Sequence, residues 1–186
     1  KLLAKARHYN FIVLLDECYS EIFDRKLEAS PPPSMLECVP ENEMDDAPFI
    51  VFHSLSKRSN LSGLRSGFCT GGKTIMNRFL ALRQIAGPQC PTPAQRAAAL
   101  AWGDDEHVAD NRALYQQKFD IAEAIFGNDF GFYRPAGGFF LWLNVGDSVG
   151  ATKHIWSSSG IKVLPGAFLA RDETLEDRTS YNPADA

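Results

Sequence analysis

The chain is short of several things, and each shortage removes a class of function. It has four cysteines, Cys18, Cys38, Cys69 and Cys90, widely separated and with no C-x-x-C among them, so neither a disulfide framework nor a thiolate metal site is expected. Basic residues are outnumbered: 19 Lys and Arg against 23 Asp and Glu give a formal charge of -4. No cluster of five or more cations occurs, so nucleic acid is not an expected partner. The longest apolar runs, "FIVLL" and "GGFFLWLNV", fall well short of the roughly 20 residues that a membrane helix needs. The start, "KLLAKARHYN", lacks the apolar stretch and cleavage site of a signal peptide and does not begin with Met, which reads as an internal start. The four histidines, His8, His53, His107 and His154, have no i,i+4 pairing. G-x-x-x-x-G-K-[ST] and G-x-G-x-x-G are both missing, so the usual nucleotide loops have no support.

What is present suits a globular α/β protein. With 45% apolar and 23% charged residues, 186 residues can bury a real core. "KLLAKARHYN" has helical spacing, and "FIVLLDE" is a continuous apolar run that reads as a buried parallel strand. The Pro-rich and acidic stretch "EASPPPSMLECVPENEMDDAP" reads as an exposed connection. "FIVFHS" and "SGFCTGG" read as further strands, and "KTIMNRFLALRQIAG" as a helix. A Thr-Pro start opens a helix at "TPAQRAAALAW", and a long amphipathic helix follows from about Asp105 to Phe126. "GFYRPAGGFFLWLNV" is expected to form two strands around a Gly-Gly turn, "ATKHIWSSSG" a helix ended by glycine, and "IKVLPG" a short strand.

Chemistry concentrates where strands end. Asp16 closes the first strand, at the sheet edge where α/β proteins bind ligands. Taken alone, a helix-capping role in a strand-to-helix turn is the stronger reading for it. Tyr19 lies three residues on. Lys57 follows the second strand, and a lone lysine there is most simply solvated. Its neighbours change that balance. Ser54 and Ser56 bring hydroxyls, the turn beyond brings free N–H groups, and Arg65 brings a guanidinium fork suited to a phosphate dianion. Phosphate donors beside an amine and a carboxylate suit pyridoxal 5′-phosphate.

"LLDECYSEIF" together with "SLSKRSNLSGLRSGF" resembles the two signature stretches of the class I/II, fold-type I aminotransferases: Asp-x-x-Tyr, then Ser-x-Ser-Lys, then Arg eight after the Lys. The wording of these stretches, with "LYQQKFD", "AGGFFLWL" and "VLPGAFLAR", is most similar to bacterial succinyldiaminopimelate transaminases. The resemblance implies an α/β fold of type I, with residues 1–115 in the large mixed-sheet domain and 116–186 in a small α+β domain. It implies pyridoxal 5′-phosphate as cofactor, amino-acid and 2-oxo-acid substrates, a cytoplasmic location and a homodimer to which "TIMNRFLALRQIAG" could contribute. By position, Lys57 would carry the cofactor covalently and move the substrate's Cα proton. Asp16 would pair with the pyridine nitrogen, Tyr19 with the ring's 3-oxygen, and Ser54, Ser56 and Arg65 with the phosphate.

Family members run to roughly twice this length, so the chain is expected to be an internal segment. A glycine-rich phosphate turn, an aromatic that stacks on the ring and an asparagine are expected upstream, and a carboxylate-binding arginine beyond "TSYNPADA". Arg58 is read as a surface or dimer-contact residue, and "PAGGFFLWL" as a hairpin feeding a core strand, outside the site, although the resemblance implies that this region approaches the substrate mouth. Two other readings stay open: another aminotransferase or C–S lyase of the fold, and a non-catalytic effector-binding module.

Overall fold

The computed structural model describes residues 1–87 and 89–169 of the 186. The expectations attached to "TSYNPADA" lie outside the described residues. Contacts divide the chain into two compact units. One comprises Lys1–Ala122 with Arg134–Phe140, the other Glu123–Tyr133 with the residues from Leu141 on.

The first unit is built on a short mixed sheet. Helix α1 (Leu2–Tyr9) stops at Asn10, which takes the left-handed conformation (φ 53°) tolerated by asparagine and returns its N–H to Ala6 O. Strand β1 (Val13–Asp16) pairs parallel with β2 (Phe49–Ser54), from Val13 opposite Phe49 to Asp16 opposite Phe52. Strand β3 (Gly67–Gly71) pairs antiparallel on the other side of β2, from Ser54 opposite Gly67 to Ile50 opposite Gly71. The order is β1-β2-β3. A Cβ at Gly67 would lie 2.5 Å from His53 O, and one at Gly71 2.2 Å from Phe49 O, so this ladder closes on glycine at both ends.

Phe49 and Val51 are fully buried in a cluster with Ala6, Val13, Val39 and Ala47, with Met35, Leu36 and Met44 packed against it. Five of those residues, Met35, Leu36, Val39, Met44 and Ala47, correct an expectation, since all lie in the stretch read as an exposed connection. The Pro-rich connection is exposed at Pro31–Pro33, but Met35, Leu36 and Val39 turn inward and cover the sheet. Burying these side chains recovers apolar area that an exposed loop would leave in water, about 25 cal/mol per Å².

Beyond β2 come helix α2 (Leu55–Arg58), then α3 (Lys73–Ile85), α4 (Thr92–Trp102) and α5 (Glu106–Phe126). Helix α5 buries Val108, Asn111, Gln116, Phe119 and Ala122. Its residues up to Ala122 belong to the first unit and the last turn to the second. In the second unit, helix α6 (Ser148–Ser159) starts on Asp147, whose carboxylate accepts the N–H groups of Val149 and Gly150, and ends at left-handed Gly160 (φ 70°).

The strands expected in "GFYRPAGGFFLWLNV" and "IKVLPG" do not form. Around the Gly-Gly turn a single bridge joins Gly137 to Phe23, supported by Asp24 N–H to Ala136 O (2.9 Å) and Gly138 N–H to Ile22 O (2.8 Å). Residues 161–165 are irregular and lead into a 3₁₀ turn, Gly166–Leu169. An apolar run becomes a strand only where a ladder partner exists, and neither run has one among the described residues. No helix of the described residues is long and apolar enough to cross a membrane.

Candidate active site

The parallel pairing of β1 and β2 brings two chain reversals side by side. Asp16 ends β1 and Ser54 ends β2, so the residues that follow each strand emerge at one edge of the sheet.

After β1 the chain turns tightly. Asp16 Oδ1 accepts the Cys18 N–H (3.1 Å), Ser20 N–H bonds to Glu17 O, and Ile22 N–H to Tyr19 O. The Asp16 carboxyl is held below the usual carboxylate range, chiefly by the Cys18 thiol and then by the Cys18 N–H, against a small opposing effect of burial; His53 adds to the lowering. Burial and the Asp16 carboxylate push the Cys18 thiol up to about 11, which keeps it a donor. Asp16 therefore closes a turn, where its position suggested the cap of a helix, and remains an ionised carboxylate at the sheet edge.

Behind it, Glu17 joins two more segments. Its Oε1 accepts the Met35 N–H (2.9 Å), which pins the Pro-rich connection. Its buried Oε2 lies 3.4 Å from His53 Nε2, within ion-pair distance yet without hydrogen-bond geometry. His53 in turn stacks on Phe68, with ring centroids 5.1 Å apart.

After β2 the chain enters α2. Ser54 is its N-cap: its hydroxyl oxygen accepts the Ser56 N–H (3.1 Å) and lies 3.0 Å from the Ser56 hydroxyl. Leu55, fully buried, anchors the turn, and its N–H bonds to Ser66 O. Half-buried Lys57 extends its amine over the rings of Tyr19 (5.5 Å to the centroid) and Phe139 (4.7 Å). Phe139 contacts Tyr19 at 5.4 Å and stacks on Tyr115 of α5 at 5.3 Å and 13°.

Lys57 and Tyr19 are thus brought together, as are Ser54 and Ser56. Arg65 stands apart from them. Its exposed guanidinium donates to Ser62 O (2.8 Å), within its own turn. Its backbone is left-handed (φ 52°, ψ 43°), a conformation that costs a non-glycine residue about 1 kcal/mol or more. The chain from Arg65 nonetheless returns directly to the site, since Ser66 O accepts the Leu55 N–H and Gly67 pairs with Ser54.

Two expectations change here. Arg58 is not a surface residue: it is 6% exposed and bound within its own unit. And "PAGGFFLWL", left outside the site although the family resemblance brings it near the substrate mouth, enters it, because Phe139 lies against the Lys57 amine. The signal available was the hinge-like Gly137–Gly138 pair before two aromatics, which fixes no partner until the chain is folded.

The chain spans about half the length of the curated relatives it matches. The 4-dedimethylamino-4-oxo-anhydrotetracycline transaminase OxyQ of Streptomyces rimosus is 35% identical over all of this chain and 50% of its own length. The LL-diaminopimelate aminotransferase of Aquifex aeolicus is 28% identical over 89% of this chain and 42% of its own. Among solved structures, an aminotransferase from Neisseria meningitidis superposes with a TM-score of 0.80 at 39% identity, covering 92% of this chain and 43% of that one. The aminotransferase AspB of Helicobacter pylori gives 0.81 at 34%, covering 94% and 45%. The fold is that of the type I enzymes, and the family depends on pyridoxal 5′-phosphate. The family described as aminotransferase class I and II matches residues 1–175, and the chain belongs to it.

Proposed function

We propose that this chain is the lysine-bearing part of a pyridoxal 5′-phosphate-dependent aminotransferase that works as a cytoplasmic homodimer, with residues 1–115 in its large domain and 116–186 in its small one. The observation that carries the reading is the Lys57 amine, set over the rings of Tyr19 and Phe139 at the sheet edge where Asp16 is kept ionised. The donor set fits the cofactor by chemistry: one amine, one carboxylate, one phenol, two hydroxyls and one exposed guanidinium.

When bound, the cofactor supplies an electron sink that acidifies the substrate's Cα–H. Lys57 would hold the cofactor covalently and would serve as the general base and acid that moves the substrate's Cα proton. Asp16, kept ionised, would be the residue to hold a proton on the pyridine nitrogen. Tyr19 would donate to the ring's 3-oxygen, and with Phe139 it offers an aromatic face to the amine. Ser56, with a hydroxyl that Ser54 orients, and Arg65, turning from Ser62 O, take the phosphate oxygens.

As substrate pair we propose N-succinyl-L,L-diaminopimelate and 2-oxoglutarate. The support is the wording of "DECYSEI", "FHSLSKRSN" and "GLRSGF", together with relatives that are named for the parent amino acid. The relationship to OxyQ makes a different amino-acid substrate the reading to test against. Measured on the complete enzyme, kcat/KM for the succinylated substrate should exceed those for N-acetylornithine, aspartate and aromatic amino acids. A tenfold preference for any of these, about 1.4 kcal/mol, overturns the substrate and leaves the transaminase.

The test of the reaction class is attachment. The complete enzyme loaded with cofactor should be yellow, and borohydride reduction should fix a pyridoxyl group on the peptide that contains Lys57. Lys57→Ala should lose both signals, and an unchanged absorbance band in that variant would remove Lys57 from its role.

A further inference from the structure

Arg58 follows the reactive lysine directly, and neither the phosphate site nor the proton-transfer chemistry has any use for it. A buried arginine without a task is expensive, since an uncompensated charge inside a protein costs several kcal/mol. Its surroundings show where that cost is met. Nη1 donates to Ala101 O (2.9 Å) and Asp104 O (3.4 Å), the carbonyls that close α4 and open the connection to α5. The guanidinium lies over the Trp102 ring, 5.1 Å from its centroid. Nη2 pairs with Asp105, whose side chain is 91% exposed, so that ion pair is screened and the carbonyl bonds carry more of the weight.

The remaining contact points back to the site. Nε lies 3.5 Å from Glu21 Oε1, and Glu21 sits two residues after Tyr19. Arg112 of α5 holds the same glutamate from the other side, through its backbone oxygen (2.9 Å) and its Oε2 (3.3 Å), while its guanidinium covers the Phe23 ring at 4.0 Å. The backbone of the lysine turn is held as well, because the buried Asn111 amide donates to Lys57 O (3.4 Å) and Arg58 O (3.3 Å). Arg58 is thus the one side chain of α2 that bonds both the turn carrying Tyr19 and the end of α4.

We infer that Arg58 is a positioning residue that, through Glu21 and the carbonyls at the end of α4, fixes the lysine-bearing turn relative to the turn that carries Tyr19. Consecutive residues of a helical turn point about 100° apart, so Arg58 can be clamped into the protein while Lys57 faces the rings. Restraining Arg58 therefore restrains the base of the lysine side chain without touching the amine. The inference rests on the proposed role of Lys57. Lysine could not replace Arg58, because a single ammonium cannot serve two carbonyls and two carboxylates in one plane.

The experiment uses the complete enzyme, stripped of cofactor and reloaded with pyridoxal 5′-phosphate. The rate of covalent attachment to Lys57, counted per folded molecule, should fall tenfold or more in Arg58→Met and about threefold in Glu21→Gln. Loss of kcat should accompany it, with KM changed less than twofold. A double-mutant cycle of each variant with Tyr19→Phe should show a coupling of fivefold or more, since both changes act on one register. Glu21 has a 40% exposed side chain, so Glu21→Gln decides the matter if Arg58→Met does not fold. Attachment at the wild-type rate in the folded variants, or additive losses in the cycle, would reduce Arg58 to a stability element and overturn the inference. A wild-type enzyme that attaches no cofactor at Lys57 would instead overturn the functional reading beneath it.

Discussion

Two turns lie between β2 and β3, and they are built on opposite plans. The lysine turn, Leu55–Arg58, is bonded on every side: capped by Ser54, anchored by buried Leu55, held at its carbonyls by Asn111 and clamped by Arg58. The arginine turn, Ser62–Arg65, is exposed, adopts a left-handed backbone at Arg65, and binds that guanidinium only to the carbonyl of Ser62 among the bonds described. On the proposed reading, the first fixes a reactive atom to a narrow geometry and the second leaves donors available to an incoming anion. Catalysis needs the former, because a misplacement of an ångström at a reacting group can cost a hundredfold. Binding of a phosphate dianion tolerates the latter, since several donors at varied angles serve equally well. Variants on the bonded side should therefore lower rate or stability, and variants of the arginine turn should lower affinity alone.

The largest effect belongs to the carboxylate beside the lysine turn. Asp16→Ala should retain part of the cofactor affinity and lower kcat by two orders of magnitude or more, because what is lost is the counter-charge at the ring nitrogen. A near-normal kcat would break the comparison at its strongest point. The pH dependence sharpens it. In the cofactor-free enzyme the Cys18 thiol and N–H hold the Asp16 carboxyl low, so Cys18→Ala, which removes the thiol and keeps the N–H, should raise the pH at which that carboxyl protonates in an NMR titration, and an unmoved titration would leave the N–H as the cause.

How much of this contrast is written in the sequence depends on how local each contact is. Asp16, Ser54 and Lys57 could be located because each stands at the end of an apolar run, and strand ends in α/β sheets share one edge. The order Asp-x-x-Tyr and Ser-x-Ser-Lys then tied them to one cofactor. Phe139 could not be found in this way, because its approach to Lys57 depends on how the chain around Gly137 meets Ile22 and Phe23 far away in sequence. Arg58 was misjudged for a related reason: an arginine beside a lysine looks solvated unless the carbonyls of Ala101 and Asp104 are known to be near. The missing strands after Phe132 and at 161–165 show the same limit, since an apolar run announces burial but not a ladder partner.

The second effect concerns stability on the bonded side. Past Tyr19 the chain reaches Asp24, 6% exposed and ion-paired to Arg134, which also binds Asp120 (2.7 Å) and Gln116 Oε1 (2.8 Å). Burial raises the Asp24 pKa, but the Lys26 N–H and the Arg134 guanidinium outweigh it and hold the group below the usual carboxylate range. A depressed folded-state pKa contributes stability that is full above the unfolded value of about 3.9 and is lost as pH falls through the folded value. Asp24→Asn should cost about 3 kcal/mol at neutral pH, the order found when one partner of a buried pair is removed, and the gap to wild type should close in acid. Chemical denaturation at pH 7 and at pH 3 measures both, and a gap that persists unchanged at pH 3 would assign the loss to packing.

The smallest effect is the most discriminating, because it asks the arginine turn to lose affinity without losing stability. Arg65 is exposed, so its removal leaves no cavity and no unpaired buried charge. Arg65→Gly relieves a left-handed backbone worth about 1 kcal/mol, and the added freedom of glycine in the unfolded chain offsets about 0.4–1 kcal/mol of that gain. The two nearly cancel, so the melting temperature should stay within a degree or two of wild type. Arg65→Ala keeps the strained backbone and should melt at the same temperature or slightly lower. If Arg65 takes the phosphate as proposed, both variants lose a charge-assisted bond worth about 1.5–3 kcal/mol and should bind pyridoxal 5′-phosphate ten- to a hundredfold more weakly while kcat at saturating cofactor changes little. Equilibrium dialysis of the cofactor beside a melting curve reads both quantities on one preparation. If either variant lowered kcat as strongly as Asp16→Ala does, the arginine turn would belong with the lysine turn, and the division between rate and affinity would fail.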